Sequence, residues 1–250
     1  MTKLYEEYRR WARVEAKGDG VIVGADISQE WLLPWWWDHY RRTNDAPVTF
    51  VDFGMTDEKR DWCRERGLWV ALPVTDIFVA EKSECDATVY GEWEKNYGKV
   101  FWESRNSWFK KPLACLLTSY RRSIWIDLDC EVRDSIEVLF PLCDHEVGLS
   151  MARDVKKGYN SGVLVFRQGI PLIETWADGS FERNRDFRGD QEVLSRIIEE
   201  QKLVFPEVPQ VYNWSRLYND HPDVKIYHLH GCTGKDVIHF QMIKKGLLIS

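Results

Sequence analysis

The sequence predicts an α/β protein, a mostly parallel central sheet flanked by helices, and three observations carry that reading. Apolar β-type runs alternate with helical patterns from about residue 20 to residue 230, as expected of strands joined through covering helices. No repeat, Ser/Gly linker or low-complexity tract divides the 250 residues, a length that one hydrophobic core can serve. The most strand-like run, Ser123-Ile124-Trp125-Ile126, ends directly in Asp127-Leu128-Asp129. Open α/β sheets place ligands at the carboxyl ends of their strands.

Each element follows from local chemistry. Residues 2–17 read as an amphipathic helix, broken by Gly18-Asp19-Gly20. Val21-Ile22-Val23-Gly24-Ala25 is then the first core strand, and Asp26 ends it. Pro34 suits the first turn of a helix running to about Arg42, and Val48-Thr49-Phe50-Val51 is a second strand. Asp57 to Arg66 makes a charged helix closed by Gly67, before a third strand at Leu68-Trp69-Val70-Ala71-Leu72. The polar stretch 74–98 has no assignable period. A helix from about Trp108 to Thr118 leads into the Ser123–Ile126 strand. Beyond it come strands at Val147–Met151 and Tyr159–Phe166, a helix from about Asp190 to Gln201, and a late strand at Val224–Leu229.

Composition narrows the function classes. Lys plus Arg number 34 against 40 Asp plus Glu, a net charge of −6, so no global basic field attracts nucleic acid or an anionic membrane. The six cysteines form no CxxC pair, which argues against a zinc knuckle or dithiol motif and for reduced, packed thiols. Residues 1–20 carry charges throughout and lack the apolar core of a signal peptide, making a cytoplasmic location the expectation. Of thirteen tryptophans, Trp31, Trp35, Trp36 and Trp37 crowd one stretch; core packing is the expected use, although aromatic faces can also stack on sugars. The last residues, Phe240 to Ser250, mix apolar groups with two lysines and read as a packed terminus, an acceptor-side flap or a peripheral membrane contact.

Asp127 and Asp129 are two positions apart, so in an extended backbone their side chains point the same way. Two carboxylates side by side repel unless a cation or proton lies between them. A hard divalent ion, Mn²⁺ or Mg²⁺, meets that need and can bridge to a diphosphate. The alternative is a turn or helix-cap role for both residues.

The context is more specific. Arg122-Ser123-Ile124-Trp125-Ile126-Asp127-Leu128-Asp129-Cys130-Glu131-Val132 resembles the metal-binding segment of nucleotide-sugar transferases of the GT-A fold. Three further stretches, in the same order, resemble retaining glycosyltransferase family 8: Tyr159-Asn160-Ser161-Gly162-Val163-Leu164-Val165-Phe166 its NSG strand, Gly189-Asp190-Gln191-Glu192-Val193-Leu194 its DQxxL helix start, and His228-Leu229-His230-Gly231-Cys232-Thr233-Gly234-Lys235 its HxxGxxK segment. The resemblance spans residues 20 to 236. It departs at Lys235, which falls one position late after His228, and at Asp236-Val237, where the family has Pro-Trp.

The resemblance implies a single Rossmann-like GT-A domain over 1–250, with an N-terminal helix (1–19), a core (20–236) and a C-terminal tail (237–250). It also implies a metal-dependent hexosyltransferase that moves a sugar from a nucleotide-sugar donor, mostly UDP-linked, with retention, to a saccharide, lipid-linked or protein acceptor. The metal would be held by Asp127, Asp129 and either His228 or His230, two histidines of equal strand parity. Lys235 and the metal would stabilise the departing diphosphate. Lys111 occupies roughly the place of a basic residue near the donor, or is a plain helix-end charge. Asp26 would contact the nucleoside, or cap a helix. Asn160, Asp190 and Gln191 would line the sugar pocket, with Gln191 and Asp190 as the catalytic candidates. An amide is a poor nucleophile, which favours a front-face mechanism.

Two other classes compete. Haloacid-dehalogenase-like phosphohydrolases also use a DxD after a strand, but near the amino terminus and followed by Thr or Val where Glu131 stands. A nucleotide-sugar-binding protein without turnover would keep the same fold. The absence of a GxSxG elbow argues against a Ser-His-Asp hydrolase.

Overall fold

A computed structural model describes residues 17–72, 79–97, 101–155 and 158–247. The helix expected at 2–17 lies outside them but for its last residue. The elements are β1 (Asp19–Ala25), α1 (Leu33–Tyr40), β2 (Val48–Asp52), α2 (Asp57–Arg64), β3 (Leu68–Ala71), α3 (Ala87–Tyr97), α4 (Phe101–Leu116), β4 (Arg122–Ile126), β5 (Cys130–Val132), β6 (Leu149–Arg153), β7 (Tyr159–Arg167), α5 (Pro171–Glu182), α6 (Asp190–Glu200), β8 (Trp214–Ser215), β9 (Ile226–His228) and α7 (Gly231–Lys244).

Six strands form the main sheet in the order β3-β2-β1-β4-β7-β6. β1 pairs in parallel with β2 and β4, and β2 with β3, whereas β7 runs antiparallel to both neighbours. One strand is therefore reversed and the other five share a direction, which matches the mostly parallel sheet the sequence predicts. The strands are apolar on both faces because both faces are covered. Along β4, Ile124 and Ile126 enter the core with Trp35, Trp36, Ile238 and Met242. Trp125 points to the opposite core, with Phe109, Leu113, Trp176 and Leu194 from α4, α5 and α6. Trp35 and Trp36 are fully buried, so the tryptophan cluster is core packing.

Several elements differ from expectation. The stretch 74–98 contains α3, and α4 begins at Phe101 rather than near Trp108. Phe101 packs with Trp93 of α3 in a small core of its own, and the buried Arg105 guanidinium donates to the carbonyls of Ala80, Asn184, Phe187 and Arg188. These contacts are remote in sequence, so no local period announces the helix start. The late strand shrinks to β9 and leaves the main sheet for a second one, ordered β5-β9-β8. The segment from residue 237 packs, as one of the readings above has it, but within a helix that starts earlier: α7 runs through it, buries Ile238 and Met242, and is tied to α1 by Trp35 Nε1 donating to Gln241 at 2.8 Å. No helix among the described residues is long and apolar enough to cross a membrane.

Candidate functional site

The two sheets meet where β4 ends. Residues 127–129 form a turn, with Cys130 N–H donating to the Asp127 carbonyl at 3.0 Å, so the extended-strand parity expected for the two aspartates does not hold. The turn instead sends them to different partners. Asp127 N–H donates to the Gly162 carbonyl at 2.8 Å. Its Oδ1 accepts from Trp125 Nε1 at 2.7 Å and lies 2.9 Å from Lys111 Nζ. Asp129 Oδ1 lies 3.3 Å from His228 Nε2, and Asp127 Oδ2 lies 4.0 Å from the same nitrogen. His228 Nε2, from β9, thus faces both carboxylates, Asp129 closely and Asp127 at the outer limit of an ion pair.

Lys111, from α4, is buried between Asp127 and Asp190, whose Oδ2 is 3.6 Å away, and it donates to Ser161 Oγ at 3.1 Å. Burial works against its charge, yet the two carboxylates outweigh burial and hold the ammonium above its ordinary range. Asp190 opens α6 but is only 4% exposed, and its carboxyl is pushed up by burial against the pull of Lys111. Asp129 shows the opposite outcome. Burial would raise it, but the hydrogen bond and charge of His228, with Lys235 and His230 behind, hold it well below the carboxylate range. His228 is raised in turn, because Asp129 and Asp127 outweigh a burial that alone would lower it.

The two histidines do not share a strand. β9 ends at His228, while His230 is the residue preceding α7, where its Nε2 meets Ser215 Oγ at 2.7 Å. Burial and the neighbouring His228 push His230 down to about 4. Its reach is toward Ser215; that of His228 is toward the aspartates. Beneath the His228 ring lies Gly162, where an added Cβ would collide with Cε1. Asp129, Cys130 and His228 bring three possible metal-ligand atoms within 4.8 Å of one another, a group that does not include Asp127. Burial pushes the Cys130 thiol well up and keeps it protonated, so the oxygens and the imidazole are the donors available to a hard divalent cation.

The remaining expected residues are placed as follows. Lys235 sits half-buried at the fifth residue of α7, and its charge reaches Asp129. No side chain caps that helix, whose first amides face its amino end. Asn160 Oδ1 accepts from Gly162 N–H at 2.9 Å. Gln191 accepts from Ser161 N–H at 3.0 Å and donates to Asp154 at 2.9 Å. Asp26 closes a local turn after β1: Oδ1 accepts from Ser28 N–H and Gln29 N–H, and Oδ2 from Ser107. Four residues the sequence did not single out complete the network: Trp125, Ser161, Asp154 and Asn213. Trp125 and Ser161 stand inside motif segments, so their position was a signal; Asp154 and Asn213 carry none.

The architecture is that of solved sugar-transferring enzymes. The structure of the glycosyltransferase GlyE of Streptococcus pneumoniae TIGR4 superimposes with a TM-score of 0.61 at 16% identity, over 93% of this chain and 64% of that one. The galactosyltransferase LgtC, solved with donor and acceptor sugar analogs, gives 0.53 at 14% identity over 93% and 97%. The bifunctional glycosyltransferase WbbM gives 0.51 at 10% over 86% and 46%, so this chain spans less than two thirds of GlyE and less than half of WbbM. At these identities the likeness is one of fold. No protein-family model and no curated protein matches the sequence.

Proposed function

We propose that this chain is a metal-dependent glycosyltransferase of the family 8 type, transferring a sugar from a UDP-sugar to an acceptor hydroxyl with retention. The observation that supports this most is a buried imidazole at the carboxyl edge of a mostly parallel sheet, its Nε2 3.3 Å from Asp129 Oδ1 and 4.0 Å from Asp127 Oδ2. That donor set fits Mn²⁺ or Mg²⁺, with His228 rather than His230 as the nitrogen ligand. Such an ion, when bound, supplies Lewis-acid stabilisation of the departing diphosphate. Lys235 adds a cation at the uncapped amino end of α7, where helix amides favour anions. Lys111 acts from behind, holding Asp127 and Asp190 in place.

Gln191 carries no charge and is held by Ser161 and Asp154, so it orients the sugar without attacking it. The acceptor oxygen then bonds to the anomeric carbon on the face from which the phosphate oxygen departs. The leaving phosphate takes the hydroxyl proton, and the anomeric configuration is kept.

Thermal-shift measurements with UDP, GDP and CMP, each with and without Mn²⁺, test this reading. UDP with Mn²⁺ is expected to stabilise the protein by about 2.7 kcal/mol at a hundredfold excess over Kd. An Asp127→Ala/Asp129→Ala variant is expected to lose that response. A nucleotide response indifferent to the double substitution would sink the proposal, and donor-dependent release of free UDP separates a transferase from a binding protein.

A further inference from the structure

We infer that Asn213 is a positioning residue: through a hydrogen-bond chain that begins at a backbone amide, it places the His228 proton on Nδ1 and leaves Nε2 as the atom offered to a cation. The metal half of this inference rests on the proposed function; the proton half does not.

The polarity of the chain follows one bond at a time. Gly162 N–H can only donate, and it lies 2.9 Å from one end of the Asn160 amide, so that end is the oxygen. One end of the Asn213 amide lies 2.9 Å from that oxygen and 3.4 Å from the Asn160 carbonyl, both acceptors, so it is the nitrogen. The other end of Asn213 is then its oxygen, 2.9 Å from His228 Nδ1. An amide oxygen only accepts, so Nδ1 carries a proton. The neutral ring therefore has its lone pair on Nε2, the nitrogen that faces Asp129 at 3.3 Å and Asp127 at 4.0 Å.

Burial makes the arrangement binding. Asn213 is 2% exposed, which leaves no room for water to substitute for its oxygen, and Gly162 supports the ring from below. The same short segment sorts the two histidines, since Ser215, two residues on, engages His230 Nε2. A ligand histidine whose second nitrogen is fixed by a neighbour is the usual arrangement at metal sites, and losing that neighbour costs about 10- to 100-fold in affinity or activity.

Long-range ¹⁵N–¹H spectra of the histidine rings, recorded on metal-free protein at alkaline pH and assigned with His228→Gln, read the proton position directly. Wild type is expected to show His228 protonated on Nδ1, and Asn213→Ala to lose that preference. By calorimetry with Mn²⁺ alone, Asn213→Ala is expected to bind about 10- to 100-fold more weakly. Asn213→Asp, which keeps an oxygen for Nδ1–H but sets a second oxygen against the Asn160 acceptors, is expected to keep the proton on Nδ1 although the link to Asn160 is lost. A wild-type ring protonated on Nε2, or an Asn213→Ala protein unchanged in both readouts, overturns the role of Asn213. A wild type that binds no Mn²⁺ yet shows the Nδ1 proton overturns the metal reading alone, and the spectrum still decides for Asn213.

Discussion

On the large-sheet side of the site, Asp127 and Asp190 close on Lys111, a buried cation that belongs to the chain. On the small-sheet side, Asp129 faces His228, an imidazole whose charge depends on pH. The first arrangement is neutralised permanently but for one charge, since one ammonium serves two carboxylates. The second is neutralised only while the histidine is protonated or a cation takes the proton's place. The contrast teaches that one half of the site is scaffold and the other is poised for an exchangeable charge.

Removing the resident cation is the severest way to break this contrast. Lys111→Met removes the cation between the buried Asp190 and the partly exposed Asp127 and leaves each only its neutral donor, Ser161 or Trp125; breaking a buried pair costs about 3–5 kcal/mol. Chemical denaturation is expected to show a loss of that size, partly recovered in Lys111→Met/Asp190→Asn. A loss below about 1 kcal/mol would place Lys111 among exposed surface pairs instead. Gly162→Ala comes next, because the new Cβ meets the His228 ring, a buried side chain held by Asn213 and Asp129. Overpacking of this kind costs about 1–3 kcal/mol. The substitution is expected to abolish Mn²⁺-dependent stabilisation while leaving the far-UV spectrum unchanged.

The smallest effect sharpens the small-sheet half. Asp129 is depressed, so its contribution is present above the ordinary carboxylate pKa of about 4 and is lost as pH falls further. His228 is raised, so its contribution is present below about 6.5 and fades as pH rises through its higher folded value. The metal-free pair therefore stabilises most between those limits. Melting temperature is expected to fall as pH rises above neutrality, and Asp129→Asn is expected to flatten that fall. An equal slope in the variant would assign the pH response elsewhere.

Much of this was legible along the chain. Strands β1, β2 and β4 announce themselves because both faces of each are buried and the runs are nearly all apolar. The turn after Ile126 was visible as the motif Asp127-Leu128-Asp129, but the partners its carboxylates meet were not. Extended parity would have aligned them; instead the turn splits them between Lys111 and His228. The same parity left His228 and His230 equivalent, and the end of β9 separates them. Asn213 and Asp154 were invisible, since each acts through a contact more than ten residues away and neither type of side chain signals a partner.

The sequence by itself determined the alternation of strands and helices, the covered sheet and the placement of acidic groups at a strand end, because hydrophobic period and turn chemistry are local. Tertiary structure decided which nitrogen faces the aspartates, which cation is resident and where the small sheet forms. Those depend on hydrogen bonds between segments 15 to 83 residues apart, such as Asn213 to His228 and Arg105 to Arg188, and only the folded chain brings such groups within bonding distance.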